Sequence, residues 1–323
     1  MPTSPEIISN TDTKLFSIVR LSKDNLEDVA KLHAAVYGVA VNKDFFYKKY
    51  DTAYTGTENI GFIAYGENGQ PVAYYGVIPC LITFNNQHIL AAQSADTMTH
   101  PQYRYKGMFV ELSNITFDLC RQSGILLIFG FPNQNSYHGA VTKLGWKPVE
   151  NMACFIIPVN SLPLEYLAKR ISFLNPLYKK YTQFVLAKKT LAANGVKNSV
   201  IADGFAGIYR TEGFLKYKTY SPSSVIEIDN AKIWFNNKHG IMLGDMEGVN
   251  EGNFAAVIRS LKSIAKKTGV KQLQFHCSPG TKLHQLFAEQ FQSIPSYPIL
   301  YQDFGSVIPP EKLRFTFSDL DIF

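Results

Sequence analysis

Two rhythms of apolar and polar positions run along this chain. Residues 14–21 (KLFSIVRL) have the make-up of a strand. Over residues 23–37 the apolar positions Leu26, Val29, Ala30, Leu32 and Ala34 recur at roughly helical spacing, and Gly38 marks the stop. A short helix is expected around residues 43–50. Strand patterns follow at 60–65, 72–84 and 88–99, joined by Glu67-Asn68-Gly69 and Asn85-Asn86, residue types suited to tight hairpin turns. Helical spacing returns at 107–122 through Met108, Phe109, Leu112, Ile115 and Leu119, and Gly124 ends it. Residues 125–131 form the continuous apolar run of a strand buried on both faces. A helix over 136–144, closed by Gly145, and a strand over 147–159 complete an order β-α-α-β-β-β-α-β-α-β.

A second half repeats that order in outline. Residues 161–193 read as mostly helical with a break near Asn175-Pro176. Strands are expected at 224–228, 232–236 and 241–246, a helix at 254–267, a strand at 271–277, a helix at 281–291, and strands at 299–302 and 313–317. The turns Ser123-Gly124 and Thr268-Gly269, and the breaks at Pro132 and Pro279, recur at offsets of about 145 residues, a pattern that suits an internal duplication and that two unrelated α/β domains could also share. The fold class is α/β (α+β): a mixed, mostly antiparallel sheet flanked by helices, duplicated. The domains are residues 1–160, a helical basic linker 161–198, and 199–323.

Composition narrows the class further. A length of 323 residues suits two domains, and 46% hydrophobic with 18% charged residues is globular rather than disordered. The net charge of +6 favours anionic ligands. Residues 161–200 carry Lys169, Arg170, Lys179, Lys180, Lys188, Lys189 and Lys197 against Glu165 alone, a local excess equal to that of the whole chain. A solvated linker face is the simpler account of it, a polymer- or membrane-contacting patch the other. The cysteines Cys80, Cys120, Cys154 and Cys277 lie at neither metal-ligand nor redox spacing, so no metal is expected and a reducing compartment is. Residues 1–10 lack an apolar signal core, and no run is long enough to span a bilayer. A cytoplasmic protein with no DNA partner and no membrane span is expected.

The segment from Ala92 to Phe109 carries the chemistry. A strand ends, a basic turn follows, and a helix opens at Gly107. The first turn of a helix offers unpaired N–H groups and the positive end of its dipole. Gly107 lets an anion approach the backbone, and Arg104 and Lys106 add charge there. A pyrophosphate fits such a cradle.

Arg104-Tyr105-Lys106-Gly107-Met108-Phe109 resembles the acyl-CoA motif of the GNAT superfamily, Arg/Gln-x-x-Gly-x-Gly/Ala, departing from it at Phe109. Lys143-Leu144-Gly145-Trp146 is similar to the family's Lys-x-Gly-Phe before the last strands, and order and spacing agree over 14–159. The resemblance implies that two adjacent strands splay and that the pantetheine arm lies between them. Backbone groups of Thr97, Met98 and Thr99 would pair with the arm. Those of Arg104, Tyr105, Lys106, Gly107, Met108 and Phe109 would hold the pyrophosphate, with the Phe109 side chain turned away. Asn133 and Ser136 would flank the arm.

It further implies a direct attack of an amine on acetyl-CoA, the acyl donor, with the N–H near Met98 stabilising the oxyanion. Asp96 is the candidate base, with His100 a second choice. The family's acidic Tyr position is Val141 here, leaving Tyr137 and His138 as candidates. The second half has Glu247 and Glu251 where a cradle would need cations, which implies a degenerate GNAT-like domain; the C-terminal carboxylate, at Phe323, is a further candidate base. The acceptor would be a small-molecule amine or amino sugar, or a peptide amine. Two alternatives stay open: an aminoacyl-tRNA-dependent transferase of the Fem kind, and a non-catalytic binding protein that retains the fold.

Overall fold

The structure, a computed structural model, describes residues 16–171, 173–237 and 240–323. The polar N-terminal residues 1–10 and positions 14 and 15 of the first expected strand lie outside them. In chain order the elements are β1 (Ser17–Arg20), α1 (Leu26–Tyr37), α2 (Lys43–Lys49), β2 (Ile60–Tyr65), β3 (Pro71–Phe84), β4 (Gln87–Thr99), α3 (Met108–Gln122), β5 (Leu127–Gly130), α4 (Gln134–Leu144) and β6 (Lys147–Pro158). Then come α5 (Leu164–Arg170), α6 (Leu174–Leu186), α7 (Ser199–Ala202), β7 (Gly207–Ile208), α8 (Glu212–Tyr217), β8 (Ser224–Ile228), β9 (Ala231–Asn236), β10 (Ile241–Glu247), α9 (Glu251–Thr268), β11 (Gln272–Cys277), α10 (Lys282–Ala288) and β12 (Ser293–Asp303). The fold is mixed α/β, its sheets mostly antiparallel and flanked by helices.

The chain forms two compact units. Of the described residues, the first takes 16–82, 88–149 and 299–307. Its strands run in the order β1-β2-β3-β4-β5, and the end of β12 lies beside β5, antiparallel, from Leu300↔Gly130 to Asp303↔Leu127. One pair is parallel, β4 with β5. Helix α3 turns Met108, Leu112, Phe117, Leu119 and Cys120 into a core shared with Phe62, Val72, Tyr75 and Trp146. Its buried hydroxyls cost little, because Ser113 Oγ donates to the Phe109 carbonyl at 2.6 Å and Thr116 Oγ1 to that of Leu112 at 2.7 Å. At the β3–β4 turn Asn85 and Asn86 both take positive φ (49° and 61°), as a two-residue hairpin loop of mirror-image type requires.

The second unit takes residues 83–87, 150–298 and 308–323. Its order is β12-β6-β11-β10-β9-β8, and its parallel pair is β10 with β11. Helices α9 and α10 cover a core built on Phe155, Phe235, Phe254, Phe275 and Phe287. Strand β6, which follows α4 in sequence, pairs antiparallel with β11 from Gln272↔Pro158 to Cys277↔Ala153. So each parallel pair takes as its outer neighbour a strand from the other half of the sequence.

Two expectations need correction. Residues 313–317 form no strand: Leu313 and Thr316 make only isolated bridges, between the short 3-10 turns Pro310–Lys312 and Phe317–Asp319. Helix α5 ends at Arg170 and α6 begins at Leu174, with Pro176 in the first turn of α6, where its missing N–H leaves no bond unmade. No described helix is long and apolar enough to cross a membrane.

Candidate functional site

In the first unit β4 and β5 pair from Ala91↔Leu127 to Ser94↔Gly130, where the register ends. β5 stops there, while β4 runs on to Thr99. Gly130 permits the close approach at the point of divergence, since a Cβ there would lie 3.3 Å from that of Ser94. Residues 95–99 of β4 therefore have no β5 partner, and the wedge between the strands opens along Thr97, Met98 and Thr99. Met98 is buried, and its two neighbours are partly exposed.

Asp96 bends β4 at the mouth of this wedge. Its φ of +52° is rare for a non-glycine residue and marks a kink within the strand. The side chain explains its tolerance. Asp96 Oδ2 lies 2.7 Å from Lys49 Nζ and accepts a 2.9 Å hydrogen bond from the Tyr50 hydroxyl. Lys49 and Tyr50 end α2, both buried. Burial, with the Asp96 charge beside it, pushes the Tyr50 phenol well above its ordinary pKa, so Tyr50 remains a donor. This anchor was not legible from the sequence, where Lys49 and Tyr50 closed a helix 46 residues away.

Beyond β4, His100 caps the turn Pro101–Tyr103, its Nδ1 3.4 Å from the Gln102 N–H. Tyr105 and Gly107 both take left-handed backbone (φ 66° and 80°), and Gly107 is the N-cap of α3. A Cβ built on Gly107 meets nothing within 4 Å, so the approach to the helix N-terminus is open. Arg104, Tyr105 and Lys106 are exposed. Lys106 Nζ rides over the rings of Tyr103 at 5.1 Å and Phe16 at 5.6 Å, which holds its charge beside the turn. Met108 is buried, and Phe109 turns inward, its ring 6.4 Å from that of Tyr75 and against Gly139.

Across the wedge, Asn133 caps α4: its Oδ1 accepts from the N–H groups of Asn135 at 2.9 Å and Ser136 at 3.2 Å. Ser136 Oγ lies 3.3 Å from the same oxygen. Tyr137 and His138 are exposed on the first turns of this helix, and Val141, one turn past Tyr137, packs against the core.

The second unit diverges in the same way. The β10–β11 register ends at Leu243↔Phe275, with an irregularity at Gly244. Here the chain itself fills the wedge. Cys277 pairs with Thr316, and the Ser278 N–H donates to the Phe315 carbonyl at 2.9 Å. The Phe323 ring stands so close that a Cβ on Gly244 would fall 2.3 Å from it. Arg210, fully buried, clamps Asp245 at 2.6 Å and Asp319 at 2.8 Å. Phe323 thus lies in the core of the second unit, 5.1 Å from Trp234.

Residues 17–149 match the family described as Acetyltransferase (GNAT) domain. No curated protein matches the chain in sequence. Among solved structures, the chain is similar to a GCN5-related N-acetyltransferase from Kribbella flavida (12% identity, 89% of this chain and 71% of that one, TM-score 0.57). It is also similar to a GCN5-related N-acetyltransferase from Anabaena variabilis (12%, 90% and 73%, TM-score 0.55) and to a conserved protein from Enterococcus faecalis (12%, 90% and 73%, TM-score 0.60). At such identity these likenesses speak for the fold alone. The motif at 104–109, the diverging parallel strands and the family match fall on the same segment: over residues 17–149 this chain carries a GNAT acetyltransferase domain.

Proposed function

We propose that this protein is an acetyl-CoA-dependent N-acyltransferase acting on a small-molecule amine or amino sugar. The observation that carries the reading is the open wedge beyond Ser94↔Gly130 beside the left-handed Gly107 at the start of α3. A side chain at Gly107 would project into the space that a phosphate must enter. Acetyl-CoA, when bound, supplies a thioester for attack by the amine. Backbone N–H groups over residues 104–109, with Arg104 and Lys106, would hold its pyrophosphate. The unpaired edge of Thr97, Met98 and Thr99 would bind the pantetheine arm as a strand binds its neighbour, flanked by Asn133 and Ser136.

Asp96 would act through Oδ1, receiving the amine's proton directly or through water while Lys49 and Tyr50 hold Oδ2. Tyr137, on the side of α4 that Val141 continues, would protonate the leaving thiolate, with His138 next to it as the second choice. A second, degenerate GNAT-like domain is supported by the likeness extending over about nine-tenths of the chain and by the filled wedge at Phe323. That unit offers no room for a second acyl donor between β10 and β11.

Calorimetric titration of acetyl-CoA into the purified protein tests the reading. Micromolar affinity, about −8 kcal/mol, that disappears in Gly107→Glu is expected, followed by turnover in a screen of amine acceptors. No heat at millimolar ligand would overturn it.

A further inference from the structure

Helices α5 and α6 are amphipathic in an unusual sense: both sides are apolar. The inner side is already satisfied. Ala168 and Leu186 are buried, and α6 is tied to the end of α9 by two phenols, Tyr178 donating to the Thr268 carbonyl and Tyr181 to that of Lys267, each at 2.9 Å. These bonds fix which side faces out. That outer side carries Phe173, Leu177 and Phe184, from 61% to 79% exposed, and Leu162, just ahead of α5, is 73% exposed. Phe173, Leu177 and Phe184 follow one another at helical spacing along α6, so they form a stripe rather than scattered positions.

The charge around the stripe has one sign. Lys179, Lys180, Lys188 and Lys189 are exposed on and beyond α6, and Arg170 lies on α5. The segment's lone acid, Glu165, is spent on Lys169 at 2.7 Å. We propose that the outer face of α5 and α6 is a docking surface for an anionic lipid bilayer. Phe and Leu side chains would enter the headgroup boundary while the lysines meet lipid phosphates.

The alternatives fit the same surface less well. A nucleic acid would satisfy the lysines but leave Leu162 and Leu177 in water, since aliphatic side chains offer no stacking platform. A second copy of the chain would bring two strongly basic faces together. Of these three, the bilayer satisfies both the apolar stripe and its charge.

The test is co-sedimentation of the full chain with vesicles of phosphatidylcholine alone or with about one third phosphatidylglycerol. Binding to the anionic vesicles, weak or absent on neutral ones and falling with added salt, is expected. Phe173→Ser with Leu177→Ser and Phe184→Ser should lower vesicle affinity about tenfold or more, as should Lys179→Gln with Lys180→Gln, Lys188→Gln and Lys189→Gln. All are exposed positions, and an unchanged thermal melt confirms the fold. Equal binding to neutral vesicles, no binding to either, or variants that sediment like the parent would overturn the proposal. So would an RNA-binding or self-association signal abolished by the same variants while vesicle binding is absent.

Discussion

Lys49 Nζ at the end of α2 lies 2.7 Å from Asp96 Oδ2 at the kink of β4. The two partners are not equally deep: 4% of the lysine side chain reaches solvent against 17% of the aspartate. Removing one partner of such a pair leaves the other uncompensated, and the cost follows the depth of what remains. Asp96→Asn leaves a buried ammonium and should cost about 3 kcal/mol of stability. Lys49→Met leaves a carboxylate that still accepts from Tyr50 and touches water, and should cost about 1–2 kcal/mol. Urea unfolding of both variants measures the difference; an equal or reversed order would show that depth does not set the cost.

The family's small residue after the cradle is Phe109 here, and the structure shows what makes room for it. A Cβ on Gly139 of α4 would sit 3.1 Å from Phe109 Cε1. The bulk missing on α4 is supplied from α3. Gly139→Val should therefore cost about 1–3 kcal/mol through overpacking, and the same change in a Phe109→Ala background should cost less or become stabilising. A double-mutant cycle with coupling below about 0.5 kcal/mol would separate the two residues energetically.

Much of this was legible in the sequence because it rests on local chemistry. Gly107 and Gly145 mark helix ends through backbone freedom, and both adopt positive φ where the turn chemistry placed them. The inward turn of Phe109 followed from the space a phosphate needs. What could not be read was set by pairing over long separations. Nothing local in 147–158 says that β6 will lie beside β11 rather than β5, and nothing near Asp96 names Lys49 as its partner. Residues 313–317 read as a strand because LRFTF alternates, yet the backbone turns at both ends and makes only bridges. Their apolar side chains fill a wedge in the second unit, a demand of tertiary packing that produces the same alternation.

That wedge makes Phe323 part of a core. Its ring is 1% exposed and lies edge-on to Trp234 and to Phe317, at 5.1 and 5.5 Å. Phe323→Ala should cost about 3–5 kcal/mol, the range for deleting a buried aromatic side chain. Gly244→Ala should cost about 3 kcal/mol, since its methyl would overlap the same ring. A Tm unchanged in both variants would mean that the ring does not hold this position in solution.

His276 of β11 gives the second unit a dependence on pH. Its Nδ1 lies 3.1 Å from Ser296 Oγ, its Nε2 3.6 Å from Cys154 Sγ, and the rings of Tyr297 and Phe317 stand about 5 Å from it. Burial there lowers its pKa to about 4, while the unfolded chain keeps an ordinary value near 6.5. Between those values the unfolded state binds a proton that the native state refuses, so stability rises with pH across the window. The contribution is complete above about pH 6.5 and is lost as pH falls toward 4, by roughly 3 kcal/mol in all. Cys154, whose thiol burial pushes up to about 11, does not titrate in that range. His284, whose pKa burial also lowers, contributes in the same direction, so urea unfolding of the parent and of His276→Gln between about pH 5 and 6.5 isolates the effect by difference. The parent should lose about 1 kcal/mol per unit of pH from this group averaged over that window, and His276→Gln should lose that much less. Equal slopes in parent and variant would assign the pH dependence to other groups.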